Sequence, residues 1–458
     1  MVGVILALVM TLFAGVVIFK RYKPQLILFF SGMVLMALSI VLETGTFIKA
    51  GKSTGFIWFD IFESIRLTFS SQIANIGLII LVVGAFATYM EHIGASRALV
   101  RIMIKPLQML RAPYLVLALT YVVGQHINIV VPSAAGLGLL LMATLYPTLI
   151  RLGVHPLAAC SVIATTPCLD LGPASGMSNV AAETAGISGA VYFVDYQLHI
   201  MYPVIAVIAI LHYIVQKYLD KKDGIVAGDP KILEELAAKA DESGPQAPTF
   251  YALLPLVPLV LVFVFSPLMI SAIKMNIITA IFITTAFTVV LEMVRHWQVK
   301  PGYDGFDFFL KQMGPLMNVV TIMVAASVFA TGLKAIGAID TLIEAGKTAG
   351  MGPAGMIIIL TSIVGLASAL TGSGNAAFLS FAVLAPQIAT DLNFDPMLLL
   401  MPMQLAAGMC RSISPVSGVV IACSGLAGQS PMAVSRRTAI PMLGGTITLI
   451  ATTIMFWL

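Results

Sequence analysis

Apolar residues run through this chain in long blocks, and the polar residues fall between blocks instead of alternating within them. A block of about twenty apolar residues spans the hydrocarbon of a bilayer as a helix. Barrel strands would be shorter and would alternate, so the pattern predicts an all-α polytopic membrane protein. Spans are expected near 2–19, 25–44, 73–93 and 197–216 in the first half. In the second half they are expected near 251–272, 275–294 and 316–335, with a last span at the C-terminal end. Residues 56–70 (FIWFDIFESIRLTFS) mix aromatic and charged positions and predict an interfacial amphipathic helix.

Some blocks are interrupted by small and polar residues. The runs 113–131 and 137–152 are joined by PSAAG (132–136), with Arg111 at one end and Arg151 at the other. Two basic ends belong on one side of the membrane, which makes 113–152 a re-entrant hairpin. A second hairpin, 353–391, has TGSGN (371–375) at its tip. The segments 156–188 and 396–428 are broken at DLGPASG (170–176) and at RSISPVSG (411–418). Such breaks are tolerated at membrane depth only where the freed backbone faces protein or a water-filled cavity.

The chain also repeats itself. FATYMEHIGA (86–95) returns as FATGLKAIGA (329–338), and FDIF (59–62) as FDFF (306–309). Tyr146-Pro147 matches Ala385-Pro386, and His155-Pro156 matches Asp395-Pro396. LGPASG (171–176) matches ISPVSG (413–418). Five matches in one order at nearly one spacing predict two homologous repeats, 1–217 and 250–458. A polar linker, 218–249, joins them and carries a short helical stretch at 230–240.

Charge sets the sidedness. Lys20, Arg21 and Lys23, then Arg97, Arg101, Lys105 and Arg111, then Lys217, Lys221 and Lys222 mark cytoplasmic ends. Arg295, Lys300, Arg436 and Arg437 do so in the second half. The arm at 338–350 lacks the basic excess of its counterpart at 95–111, as an inverted copy would. Each repeat then has five spans, one hairpin and one broken helix, ten spans in all, with both termini periplasmic. The basic residues after the first block follow no small-residue cleavage site, which predicts a retained span.

Composition narrows the function. Of 458 residues, 59% are hydrophobic and 10% charged, against about 25% charged in soluble proteins. Mean hydropathy is +1.00. Cys160, Cys168, Cys410 and Cys423 lie in apolar segments without CxxC spacing and are expected as small buried hydrophobes. No nucleotide fingerprint, metal-protease motif or Ser/His/Asp set appears, so no enzyme, metal, cofactor or nucleic-acid partner is expected.

Inverted repeats with hairpin tips and broken helices at the midplane are the architecture of a secondary transporter. The expected substrate site gathers Ser133, Ala134, Ala135 and Gly136 from one tip and Ser373, Gly374 and Asn375 from the other. Pro173, Ser175 and Gly176 join from the first break, and Arg411, Ser412, Pro415, Ser417 and Gly418 from the second. Helix N-termini offer unpaired N–H groups that suit carboxylate oxygens. Arg411 can clamp a carboxylate, or it can pair with Asp170 or Glu183 as structural glue. A charge at this depth costs about 2.5–3.5 kcal/mol on insertion scales, which argues for a purpose. Asp170 is a candidate for a coupling proton or the counter-ion of Arg411. His126 is either a polar packing group or a proton relay, and Glu183 is expected to be solvated.

GLGLLLMATLYP (136–147), TGSGNAAF (371–378) and SPVSGVVIA (414–422) resemble the DcuC-type anaerobic C4-dicarboxylate carriers, within the ion transporter superfamily. The resemblance extends over essentially the whole chain, including YLDKK (218–222). It implies a bacterial inner-membrane carrier of succinate, fumarate and malate, working by efflux, uptake or exchange in anaerobic metabolism. It further implies a homodimer with an elevator mechanism, in which a scaffold of flanking spans holds a mobile domain of hairpins and broken helices. The arms at 95–111 and 338–350 would link the two. By motif, the resemblance puts Ser133, Ser175, Ser373, Gly374, Asn375, Arg411, Ser412 and Ser417 at the substrate, with H⁺ or Na⁺ as a possible coupling ion. Other readings are a carrier of another organic anion or an amino acid, and a cation/proton antiporter using Asp170. A channel has no charge ring or carbonyl filter motif to support it.

Overall fold

A backbone in lipid must satisfy its own polar groups, and this chain does so with helices. A computed structural model describes residues 2–19, 22–48, 50–110, 112–224, 247–265, 269–270, 272–273, 275–338 and 352–458. In the first half, α1 (Val2–Phe19) and α2 (Pro24–Val41) precede α3 (Ile57–Gln72). A π-helical stretch, Ile73–Gly77, carries α3 directly into α4 (Leu78–His92). The separate interfacial helix expected at 56–70 is therefore the first half of one continuous helix. Gly94, at φ +78°, then turns the chain through 75° into α5 (Ala95–Met103), the expected arm.

The first hairpin follows as α6 (Pro113–Val130), α7 (Ala134–Thr144) and α8 (Tyr146–Arg151). The broken helix is α9 (Pro156–Thr165) and α10 (Gly176–Ala185). Next come α11 (Gly189–Val191), a π-helical stretch Tyr192–Gln197, and α12 (Leu198–Lys222). Helix α12 thus extends into the start of the expected linker. The helical stretch expected at 230–240 lies outside the described residues, as do Lys20, Arg21, Arg111 and 339–350 of the second arm.

The second half keeps this order. A 3₁₀ stretch (Thr249–Leu256) leads into α13 (Val257–Val264), which stops short of the expected 251–272. Pro255 and Pro258 explain the poor start, because neither has an N–H to donate. Then come α14 (Ile277–His296) and α15 (Val299–Ala335), which starts well before the expected residue 316. The second hairpin is α16 (Pro353–Thr371), α17 (Gly374–Ala382) and α18 (Ala385–Asp391). The second broken helix is α19 (Met397–Arg411) and α20 (Gly418–Leu426), before α21 (Pro431–Trp457).

The expected count of ten spans includes the two broken helices. Among the described residues, six helices are long and apolar enough to cross a membrane, or seven if the bent α4–α5 pair is one span. The limbs of the broken helices are too short to cross alone, and two of the six are hairpin limbs. The chain is a multi-pass membrane protein.

The helix contacts fall into two groups. In one, α15 packs along α2, α4, α14 and α3. In the other, α19 lies among α16, α17, α21 and α10, while α12 packs on α21 and α6. Contacts of α15 with α17 and of α4 with α10 bridge the groups. The ends of α12 show where each hairpin enters. At its C-terminal end, Asp220 accepts from Tyr114 at the start of the first hairpin (3.0 Å) and pairs with Arg437 (2.5 Å). At the other end, Tyr196 donates to Asp395, just after the second hairpin, and stacks on Trp457. The hairpins thus join opposite ends of the α12–α21 pair. Arg437 is 2% exposed and also bonds Asp223 (3.1 Å), so it is a neutralised buried cation rather than a free cytoplasmic marker.

Candidate functional site

Each tip and break ends in a serine that starts a helix. Ser133, Ser175 and Ser373 are N-caps whose Oγ accepts from the N–H of Gly136, Ser178 and Ala376. The fourth, Ser417, is the N-cap of α20 but makes no side-chain cap bond. A capping hydroxyl is still free to donate its own hydrogen. The sequence repeats these serines because every broken helix needs its first-turn N–H groups satisfied.

Close approach ties one tip to both breaks. A Cβ on Gly408 of α19 would collide with the Cys168 carbonyl in the first break. A Cβ on Gly374 would lie 2.7 Å from the Ala407 carbonyl and 3.3 Å from Cδ of Arg411. Gly372, at φ +73°, sits against Val416 and Ser417 of the second break. The second tip, both breaks and Arg411 therefore converge. At Gly176 and Gly418, the first residues of α10 and α20, a Cβ would meet open space.

Arg411 is the last residue of α19 and is 9% exposed. Its Nη2 donates to the Pro167 carbonyl at 2.6 Å. Its Nε is buried with no hydrogen-bond partner. Among the described residues it makes no ion pair, neither with Asp170 nor with Glu183, which is exposed on α10. The guanidinium therefore keeps donor capacity that no protein carboxylate uses. Ser414, beside it in the second break, has a buried hydroxyl without a partner. Ser412 is fully buried, and its carbonyl accepts from Thr438 at 2.7 Å.

The first break is held differently. Asp170 is in the left-handed region at φ +54°, which aspartate tolerates better than most residues. Its N–H bonds Asn128 Oδ1 (3.2 Å), and its carbonyl accepts from Ser178 and from Gln404 Nε2 (3.0 Å). Gln404 Oε1 accepts from Tyr192 (2.7 Å) and Gln197 (3.2 Å), while Gln197 Oε1 takes the Gly172 N–H (2.9 Å). Asn179 closes the loop on the carbonyls of Pro173 and Ser175, both at 2.7 Å. The Asp170 side chain also feels the Arg411 charge.

The other expected residues are placed as follows. Ser133, Ala134 and Gly136 are half-buried and Ala135 exposed on the first tip, where α7 packs on α20 through Gly138 and Val419. Asn375 is half-buried and Pro415 half-buried near the convergence. His126 bonds its own helix at the Val122 carbonyl (2.8 Å), and its ring lies 6.4 Å from Tyr202 on α12. Sequence reasoning passed over Asn128, Asn179, Gln197, Gln404, Ser414 and Glu91. The signal for the amides was available, since a glutamine or asparagine inside an apolar span needs a reason. Among the described residues, no cluster of three metal-ligating side chains occurs.

The chain matches the family model described as DcuC, C4-dicarboxylate anaerobic carrier, over residues 2–457. It is 35% identical over 457 residues to a Vibrio cholerae protein named probable anaerobic C4-dicarboxylate transporter DcuC, covering 99% of this chain and 98% of that one. It is 34% identical over 441 residues to the anaerobic C4-dicarboxylate transporter DcuC of Escherichia coli K12, covering 95% and 93%. A putative uncharacterized transporter of Haemophilus influenzae is 31% identical over 198 residues, covering 42% and 68%.

Proposed function

This chain belongs to the DcuC family of C4-dicarboxylate anaerobic carriers, a family of transporters rather than enzymes, and from that premise we propose that it carries succinate, fumarate and malate across the bacterial inner membrane. The observation that carries the reading is Arg411, a buried guanidinium that makes no ion pair among the described residues and whose Nε has no hydrogen-bond partner. One substrate carboxylate binds Arg411 and the α20 N-terminus, with Ser414 and Ser417 completing its contacts. The other is held by N–H groups of the second tip at Ser373, Gly374 and Asn375. A dianion suits this set, because a single cation and several backbone dipoles share the charge.

Transport proceeds by an elevator motion of the hairpins and broken helices against the α2–α3–α4–α14–α15 group, in a homodimer of inverted repeats with both termini periplasmic. The entry of the two hairpins at opposite ends of α12 supports the inversion. A coupling proton, where one is used, sits on Asp170, a carboxyl within reach of Arg411 and Ser175.

The test is uptake of labelled fumarate by purified protein in liposomes. Preloading with succinate should accelerate uptake if the carrier exchanges dicarboxylates. Absence of uptake with every dicarboxylate, under pH or Na⁺ gradients and with preload, would contradict the reading and favour another organic anion or cation/proton exchange.

A further inference from the structure

Glu91 stands near the end of α4, just ahead of the Gly94 turn into the arm. Its Oε1 is buried and has no hydrogen-bond partner. That oxygen lies against Gly136, in the first turn of α7 at the tip of the first hairpin. A Cβ on Gly136 would collide with it, so only glycine lets the carboxyl seat there. The Gly136 N–H is already given to Ser133 Oγ (3.1 Å). A carboxyl from one group of helices is thus docked on a hairpin tip of the other group.

The corresponding position in the second repeat is Lys334, the one charge reversal between FATYMEHIGA and FATGLKAIGA, and Lys334 is exposed. The matching segment of the second half thus carries a base where the first carries this acid.

Among the described residues, no ion pair or hydrogen bond offsets it. On α14, Glu292 bonds Tyr251 and pairs with Arg295, and on α15 Asp307 pairs with Lys311. His92 stacks on Phe308 of α15. Arg97 and Arg101 lie on the arm and Glu183 is exposed on α10. Among the described residues, none of these makes an ion pair or hydrogen bond with Glu91. Burying a charge without a partner is costly, so the seat suits a protonated carboxyl and strains an ionised one.

We propose that Glu91 is a proton-linked gate for the transport reaction, seated on the first hairpin tip when neutral and leaving it when charged. On leaving, the carboxyl gives one proton to water and exposes the tip, and a substrate carboxylate then faces the α7 N-terminus without a resident rival. Glu91 is a gating residue that acts through the hairpin; it is not a substrate ligand. The inference rests on the carrier reading above.

The test is succinate counterflow in liposomes at equal internal and external pH, comparing wild type, Glu91→Gln and Gly136→Ala. Thermal unfolding of each variant checks the fold. Glu91→Gln is seated permanently and Gly136→Ala cannot seat the carboxyl, so both should lose the gate's pH dependence. Titration of succinate is common to all three and cancels in the rate ratio. We expect the wild-type to Glu91→Gln ratio to change by roughly threefold or more between about pH 5 and about pH 8, the range in which carboxyls of differing burial change charge. An unchanged ratio in both variants overturns the inference while leaving the carrier reading intact. Absence of wild-type counterflow at every pH overturns both.

Discussion

The two breaks, LGPASG and ISPVSG, share a motif, but their surroundings treat them differently. Around the first, Asn128, Asn179, Gln197 and Gln404 take up the backbone groups that the break frees. No side-chain atom of residues 166–176 is a buried orphan. The second break keeps two orphans of its own, Arg411 Nε and Ser414 Oγ, and an uncommitted cap at Ser417. Buried polar groups are ordinarily satisfied, so a segment that leaves some unpaired points to a partner outside the chain. On the proposed function, the duplicated motif divides its labour, with the first break as frame and the second as binding surface.

Arg411→Ala strikes the binding side hardest. Hydrogen bonds to charged groups contribute about 1.5–3 kcal/mol, so succinate counterflow should fall by roughly one to two orders of magnitude. Retained counterflow would end the comparison at once. Gln404→Ala strikes the frame, because it strips a partner from Tyr192, Gln197 and the Asp170 carbonyl. Leaving such groups unpaired should cost about 1–3 kcal/mol, seen as a lower unfolding temperature, with a smaller loss of transport than Arg411→Ala. The paired serines sharpen the contrast. Ser175→Ala loses a cap and should cost about 1 kcal/mol of stability, leaving KM within a few-fold. Ser414→Ala removes an unpaired hydroxyl, so stability should hold while KM for succinate rises by about fivefold. Equal behaviour of the two serine variants would dissolve the distinction.

The helix interruptions were legible in the sequence because each is written in local residues: PSAAG, TGSGN and the two P-x-S-G turns. Span boundaries were less so. The π-helical stretch at Ile73–Gly77 joins two segments whose compositions differ, and periodicity alone does not reveal that continuity. Arg411 stood out by its charge, and the structure places it among the second tip and both breaks. The partners of the first break did not stand out, because Gln404 and Gln197 lie far from it in sequence and meet it only in the folded chain. Glu91 was hidden inside the very segment that revealed the repeat. His126, read as a packing group or a relay, bonds the Val122 carbonyl of its own helix and lies beside Tyr202.

The division between frame and binding surface is tested most directly by succinate-dependent thermal stabilisation of Arg411→Ala and Gln404→Ala beside wild type. A ligand that binds only the folded protein raises its apparent stability. The account predicts that Gln404→Ala unfolds at a lower temperature yet still gains stability with succinate. Arg411→Ala should unfold nearer to wild type and gain nothing. A succinate response kept by Arg411→Ala and lost by Gln404→Ala would contradict the account.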